Sequence, residues 1–461
     1  MHHLLLAAIL SMTLSAAEPF RADDHWIAIG DSITYGGAYP LNVELFYLTR
    51  QPTAALTYTN AGIGGDTAGG VLRRFDWDIA ATQPTVATVM LGMNDVGRDN
   101  YAEGPDDSII IQKRLNRIVD YEKNLRAVVS RLKTLGSRVI LLSPTPYDDT
   151  ARIEASLNPG CNDALAELGR RARSIAAETD SEFIDLHTRL TTLNRSLQKN
   201  DPAFTFLGGD RIHPGATGHF VVAYYFLQAQ GVRGTVANVH LDAKTGGIRM
   251  AAHCQVTALT ATPQTVSFDY LAAALPFPIP EDAAAALDWI PFQSELNREE
   301  LRVRGLAAGS YQLQIDEQEI ATLAATDLAR GINLAELGTP QLAQAREVLE
   351  ILKKRWELIA RLRAIATVEY QLGNDLPRPI AVAALEAPLA IWEAELAAEA
   401  NHWQGKLPAE YRVWKPTEAA IRTQADDLLR QARAAAQPVL RRIKLTLVEN
   451  SDKIQDRTIT Q

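Results

Sequence analysis

Five short, largely apolar runs constrain this chain more than any other feature. They are Trp26-Ile27-Ala28-Ile29, Leu56 to Asn60, Val86 to Leu91, Arg138 to Ser143 and Glu182 to Leu186. Between and after them lie stretches that can be helical: around Leu41 to Thr49, about Ser108 to Leu135, about Asp163 to Thr179, and Gly215 to Ala229. Strands apolar on both faces, alternating with helical segments, belong to parallel sheets covered by helices. The crossovers between such strands are right-handed. Residues 18 to about 232 therefore read as one α/β domain, a three-layer α/β/α arrangement around a five-stranded parallel sheet.

The residues at the strand ends direct attention to one edge of that sheet. The first run ends in Gly30-Asp31-Ser32, the second in Ala61-Gly62-Ile63-Gly64-Gly65-Asp66-Thr67, and the third in Gly92-Met93-Asn94-Asp95. Open α/β sheets bind ligands outside the carboxyl ends of their strands. Glycines let backbone approach a ligand closely. Asp66 or Thr67 can cap the next helix, which leaves amides free at its start. Asp210-Arg211-Ile212-His213-Pro214 then precedes the closing helix. Three residues apart on one loop, Asp210 and His213 can reach a common point. A histidine acting as a base needs a carboxylate on Nδ1 to fix its tautomer while Nε2 takes the proton.

The four blocks read Ile-Gly-Asp-Ser-Ile-Thr, Asn-Ala-Gly-Ile-Gly-Gly-Asp-Thr, Met-Leu-Gly-Met-Asn-Asp and Asp-Arg-Ile-His-Pro. In order and flanks they resemble the SGNH hydrolases, also called GDSL esterases and lipases, over residues about 24–232. The resemblance implies Ser32 as nucleophile, His213 as general base and later acid, and Asp210 as the group that orients and charge-stabilises His213. It implies an oxyanion hole made by the backbone amides of Ser32 and Gly65 and the side-chain amide of Asn94, with Gly64 as the alternative to Gly65. A tetrahedral intermediate needs such donors fixed where negative charge develops. The Gly-x-Ser-x-Gly elbow of α/β-hydrolases is absent at Ser32. Asp31 and Asp95 are expected to be hydrogen-bonding residues at strand ends rather than catalysts. His187 and His219 lack the carboxylate spacing and are expected to be surface or helix residues. Tyr35 and Arg98 flank the blocks and are candidates for lining the pocket.

Composition narrows the partners. A net charge of −9 with scattered basic residues argues against nucleic acid and against an anionic membrane surface. The apolar stretch Leu4 to Leu14, followed by Ser15-Ala16-Ala17, reads as a signal peptide cleaved after Ala17. It falls short of the about 20 residues that a membrane span needs. The expected product is secreted or periplasmic, without stable membrane insertion. An oxidising compartment would permit Cys161 and Cys254 to pair, and the sequence leaves that open. No Cys/His spacing resembles a zinc site, so neither a metal nor an organic cofactor is expected. The oligomeric state is left open.

The second half changes character. Residues 240–335 carry period-two strand signals, such as Val256 to Thr260, Thr265 to Tyr270, Leu301 to Arg304 and Tyr311 to Ile315, with glycine-bounded turns. A small antiparallel β segment is expected there. Residues 336–461 read as a helical segment. Thr339 and Pro340 start its first helix, and Ala345, Leu349, Leu352, Trp356, Ile359 and Leu362 form an apolar stripe. Trp403 and Trp414 lie in connectors, where exposed indoles could stack on sugar rings. The expectation is a secreted serine esterase working through an acyl-enzyme on a small ester or acetylated glycan, with carbohydrate O-acetyl esters favoured. The alternatives are a lysophospholipase or thioesterase type of lipid hydrolase, and a catalytically silent carbohydrate-binding protein.

Overall fold

A computed structural model describes residues 17–102, 107–399 and 402–448. The leader-like stretch therefore lies outside the described residues except for Ala17.

The five expected strands form one sheet: β1 (His25–Gly30), β2 (Thr57–Gly62), β3 (Val86–Met90), β4 (Arg138–Leu142) and β5 (Glu182–Ile184). All pairings are parallel, in the order β2-β1-β3-β4-β5. Because side chains alternate across a strand, each strand serves two cores. Trp26, Ala28, Val86, Ile140 and Leu142 point to one face, against α2 (Ala38–Arg50), α6 (Leu186–Gln198) and α7 (Ala216–Ala229). Ile27, Ile29, Ala87, Val89, Val139 and Leu141 point to the other, against α3 (Ala68–Arg74), α4 (Ser108–Thr134) and α5 (Cys161–Glu178). Burying both faces is what makes the central runs β1, β3 and β4 largely apolar, while β2, at the edge, carries Thr57 and Thr59. A four-residue helix, α1 (Ser32–Tyr35), comes directly after β1.

The rest of the chain forms a β-sandwich and a helical layer. One sheet holds β6 (Thr235–Asp242), β7 (Gly247–Ala252), β10 (Arg298–Arg304) and β13 (Ile332–Asn333). The other holds β8 (Cys254–Ala261), β9 (Thr265–Ala272), β11 (Ser310–Ile315), β12 (Gln318–Ala324) and β14 (Arg441–Leu447). Their inner faces share one core, including Val239, Phe268, Leu301, Tyr311 and Leu445. Short helices α8 (Phe292–Leu296) and α9 (Ala325–Arg330) join these strands. The pairs are antiparallel except β6 with β10, which is parallel.

The structure corrects two expectations from the sequence. Strand structure begins at Thr235, before residue 240, and the segment 336–461 is not helical to its end. Residues 441–447 form β14, which lies between β9 and β11 at the centre of its sheet. Ile443 and Leu445 are buried while Arg442 and Lys444 are exposed, the period-two pattern of a half-buried strand. Cys161 is buried in α5, Cys254 opens β8, and the two thiols are free.

The helical layer consists of α10 (Pro340–Leu372), α11 (Val382–Ala397), α12 (Leu407–Trp414) and α13 (Glu418–Ala435). Thr339 caps α10 by accepting from the Leu342 amide at 3.2 Å, and Pro340 occupies its first position. Its apolar stripe joins the core beneath α2, with Trp356 stacked on Tyr58 at 5.0 Å between centroids. Among the described residues no helix is long and apolar enough to cross a membrane.

Candidate active site

The loops after β1, β2 and β3, together with the loop before α7, meet at the carboxyl edge of the sheet. Ser32 opens α1. Asp31, its N-cap, accepts from the Ile33 amide at 3.0 Å and so fixes the turn that presents Ser32. Gly30 cannot be anything larger, since a Cβ there would fall 2.1 Å from Thr34 Oγ1 and 2.9 Å from the Met90 carbonyl oxygen. The Ser32 amide sits in the first turn, where helix amides have no intrahelical acceptor.

His213 and Ser32 are brought together from opposite ends of the α/β/α layer. Ser32 Oγ lies 2.7 Å from His213 Nε2, and His213 Nδ1 lies 2.5 Å from Asp210 Oδ2. With Nδ1–H donating to Asp210, Nε2 is left to accept from the serine hydroxyl. Burial pushes the Asp210 carboxyl up. Hydrogen bonds from the His213 ring and from the amides of residues 213 and 212 outweigh this and hold it at about 2. Asp210 is thus an anion across the working pH range, fit to stabilise an imidazolium beside it.

Arg211, between these two residues, is a determinant the sequence did not advertise. Its side chain is buried and donates to the carbonyls of Asp148, Ala151, Ile153 and Ala155 at 3.0–3.1 Å. It pins the Asp-x-x-His loop to the loop after β4. Its backbone lies in the left-handed region at φ 70°, and its side chain is buried between the exposed Asp210 and the partly buried Ile212. An arginine at such a position looks like a solvated loop residue in sequence.

The β2 loop carries the glycines. Gly65 is exposed, has φ 77°, and has nothing within 4 Å of the place a Cβ would occupy. Asn94 joins this loop from β3: its Nδ2 donates to the Asp66 carbonyl at 3.0 Å. Arg98 Nη1 donates to Asn94 Oδ1 at 3.1 Å and to the Met93 carbonyl at 2.8 Å. The amide of Asn94 is therefore held by its oxygen, with its NH₂ turned to the Gly65–Asp66 turn and one N–H left over.

Thr67, not Asp66, caps α3, accepting from the Gly70 amide at 3.0 Å. Asp66 instead accepts from Arg74, a fully buried guanidinium that also holds the Ala61 carbonyl. Asp95 accepts from the Ala68 amide at 2.9 Å, and burial raises its carboxyl to about 7. Burial likewise lifts Asp31 to about 6. Both fix loops. His187 and His219 are helix residues, but buried ones. His187 Nε2 bonds to Asn162 Oδ1 at 3.0 Å. His219 stacks on Tyr39, and burial, with His213 nearby, lowers it to about 4. Among the described residues no group of His, Cys, Asp or Glu is arranged to hold a metal ion.

A parallel sheet whose carboxyl edge assembles a serine, a histidine and a carboxylate beside free amides defines the class of serine-type acyl hydrolases. Residues 28–220 match the GDSL-like Lipase/Acylhydrolase family. A solved structure described as a gut microbial diltiazem-metabolizing enzyme is 33% identical, with a TM-score of 0.85, covering 94% of this chain and 99% of that one. An acetylxylan esterase of Geobacillus stearothermophilus is 29% identical over 218 residues, 44% of this chain and 92% of that protein. An isoamyl acetate-hydrolyzing esterase 1 homolog of Homo sapiens is 28% identical over 113 residues, 23% of this chain and 42% of that protein. The chain belongs to the GDSL-like lipase/acylhydrolase family and is a carboxylic ester hydrolase. The near-complete match to the first of these structures means that the sandwich and helical layer are shared architecture.

Proposed function

We propose that this protein is an exported serine esterase that removes acetyl groups from carbohydrate esters through an acyl-enzyme. The observation that carries the reading is the continuous relay from Ser32 Oγ to His213 Nε2 at 2.7 Å and from His213 Nδ1 to Asp210 Oδ2 at 2.5 Å. Ser32 Oγ attacks the ester carbonyl carbon while its proton passes to His213 Nε2, and Asp210 balances the imidazolium. The oxyanion takes hydrogen bonds from the amides of Ser32 and Gly65 and from the spare N–H of Asn94. His213 then returns the proton to the departing alkoxide, leaving acetyl on Ser32. A water, deprotonated by His213, releases acetate by the reverse sequence.

Acetyl is favoured because two relatives carry acetate esters in their names. Export rests on the leader-like pattern of residues 4–17. The test is hydrolysis of an activated acetate ester by the full protein and by Ser32→Ala. The expected loss is about 10⁴-fold or more in kcat. Equal rates in the two proteins would refute the assignment. A series of acyl chain lengths separates the lipid alternative: a rate that rises with chain length would favour a lipid hydrolase over a deacetylase.

A further inference from the structure

Trp403 is an exposed tryptophan with a fixed seat. Its side of the molecule is open, with 55% of the residue exposed. The six-membered part of the indole lies over Gly64, where a Cβ would come 2.4 Å from Cη2 and 2.9 Å from Cζ2. Only glycine allows that approach. The ring also meets Tyr35 edge-on, at 6.3 Å between centroids and 68° between planes. Both neighbours belong to the reacting edge. Tyr35 shares the single turn of α1 with Ser32, and Gly64 precedes the unobstructed Gly65. From Tyr35 a cleft of about 390 Å³ runs past Gly36 and Gly37 to Lys353 and Glu357 of α10.

We propose that Trp403, with Tyr35, is the binding platform for the alcohol half of the ester, and that this alcohol carries a ring with an apolar face, as a pyranoside or an aryl group does. An acetyl group bound at Ser32 and the oxyanion donors is too small to cover an indole lying beyond Gly64. A ring-bearing alcohol is large enough, and stacking its face on the indole removes apolar surface of both from water. The cleft beyond Tyr35 has a lysine and a glutamate among its lining residues. Both are exposed and can bond hydroxyl oxygens on such an alcohol, which an aliphatic acyl chain does not offer. The platform comes from the helical layer, so the segment outside the α/β/α layer sets which esters are taken. This rests on the esterase reading proposed for Ser32, His213 and Asp210.

The experiment measures kcat and KM of the full-length protein, Trp403→Ala and Trp403→Phe on three acetates: ethyl acetate, an O-acetylated methyl xyloside and phenyl acetate. For each substrate the variant is compared with the unsubstituted protein, which cancels leaving-group reactivity. The expected result is that Trp403→Ala loses about tenfold more kcat/KM on the ring-bearing acetates than on ethyl acetate, mostly through KM, and that Trp403→Phe restores most of it. A larger loss on the xyloside than on phenyl acetate identifies a sugar, and the reverse identifies an aryl alcohol. Equal losses on all three substrates would overturn the proposal, because Trp403 would then only prop the Gly64–Gly65 turn. No loss on any would also overturn it. If the unsubstituted protein cleaves none of the three, the esterase reading itself has failed, a result distinct from these.

Discussion

Arg363 of α10 is where the helical layer takes hold of the active-site loops, and replacing it with methionine tests whether that hold matters. Its Nη1 and Nη2 bond to the two carboxylate oxygens of Asp78 at 2.7 and 3.0 Å, and its Nε donates to the Gly62 carbonyl at 3.1 Å. Both side chains of the pair are 7% exposed. Asp78 also bonds Arg74, which bonds Asp66. The cations therefore alternate with carboxylates from α10 to the turn that carries Gly65. Methionine keeps the bulk of the stem but strands half of the Asp78 charge and the Gly62 carbonyl. Removing one partner of a buried pair costs roughly 3–5 kcal/mol. Because Arg74 stays to neutralise Asp78, the low end, about 3 kcal/mol, is expected. Denaturant unfolding of the full chain, tracked together with kcat, measures it. Activity should fall chiefly in kcat, since the freed carbonyl ends β2 at the entrance to the Gly64–Gly65 turn. The acid limb supplies a second check. Burial pushes Asp78 up, but Arg363 and Arg74 overcome it and hold it at about 2, below its unfolded value near 4. A depressed carboxyl contributes stability that is fully present above about pH 4 and is lost as pH falls toward 2. Arg363→Met should flatten that acid loss. A cost below about 1 kcal/mol with an unchanged kcat would refute the argument and leave α10 as a neighbour that merely packs.

Two more outcomes are expected from the same geometry. Asn94→Ala removes a donor proposed for the oxyanion hole and should lower kcat by about 10²–10³ with little change in KM, read by steady-state kinetics on an acetate ester; a loss confined to KM would remove Asn94 from that role. Asp95 is a buried carboxyl raised to about 7, so the folded state keeps a proton that the unfolded chain gives up near pH 4. Stability should therefore decline as pH rises from about 4 to about 7, by at most about 1.4 kcal/mol per pH unit from this group. Asp95→Asn should make that decline shallower, with Asp31, raised to about 6, supplying the remainder; an unchanged slope in denaturation midpoints would refute the assignment.

The α/β/α layer was legible because its signals are local. The central strands announce themselves by largely apolar runs, and Ser32, Asn94 and His213 stand at chain positions where glycine, asparagine or proline ends an element. What escaped is set by contacts between distant residues. The sequence offers both Asp66 and Thr67 as caps, and only the fold shows that Thr67 does the capping while Asp66 meets a buried arginine. Arg363 and Asp78 are separated by 285 positions, and neither carries a local mark of burial. The strand at 441–447 is a different kind of miss. Its alternation of Ile443, Leu445 and Leu447 with charged or polar residues is visible in the sequence, but it comes after a long helical stretch and its pairing partners lie far back, in β9 and β11.

The distribution of buried charge says how the halves depend on one another. Glu44 sits on α2 where that helix meets α10, and burial raises its carboxyl. The side chains that bond it, Arg355 at 2.7 and 2.9 Å and the Trp356 indole at 3.0 Å, both come from α10. Asp78 repeats the arrangement with Arg363. Without α10, Glu44 would lose both partners and the cover that keeps it from water, and the apolar surface packed around Trp356 would be opened with it. Apolar burial gives the same answer, because Trp356, Ile359 and Leu352 belong to one continuous core with Trp26, Phe46 and Phe226. The same helical layer that neutralises these carboxylates places Arg363 on Gly62 and Trp403 on Gly64. The residues argued to hold stability and the residue proposed to choose the alcohol thus meet on one loop, the one after β2.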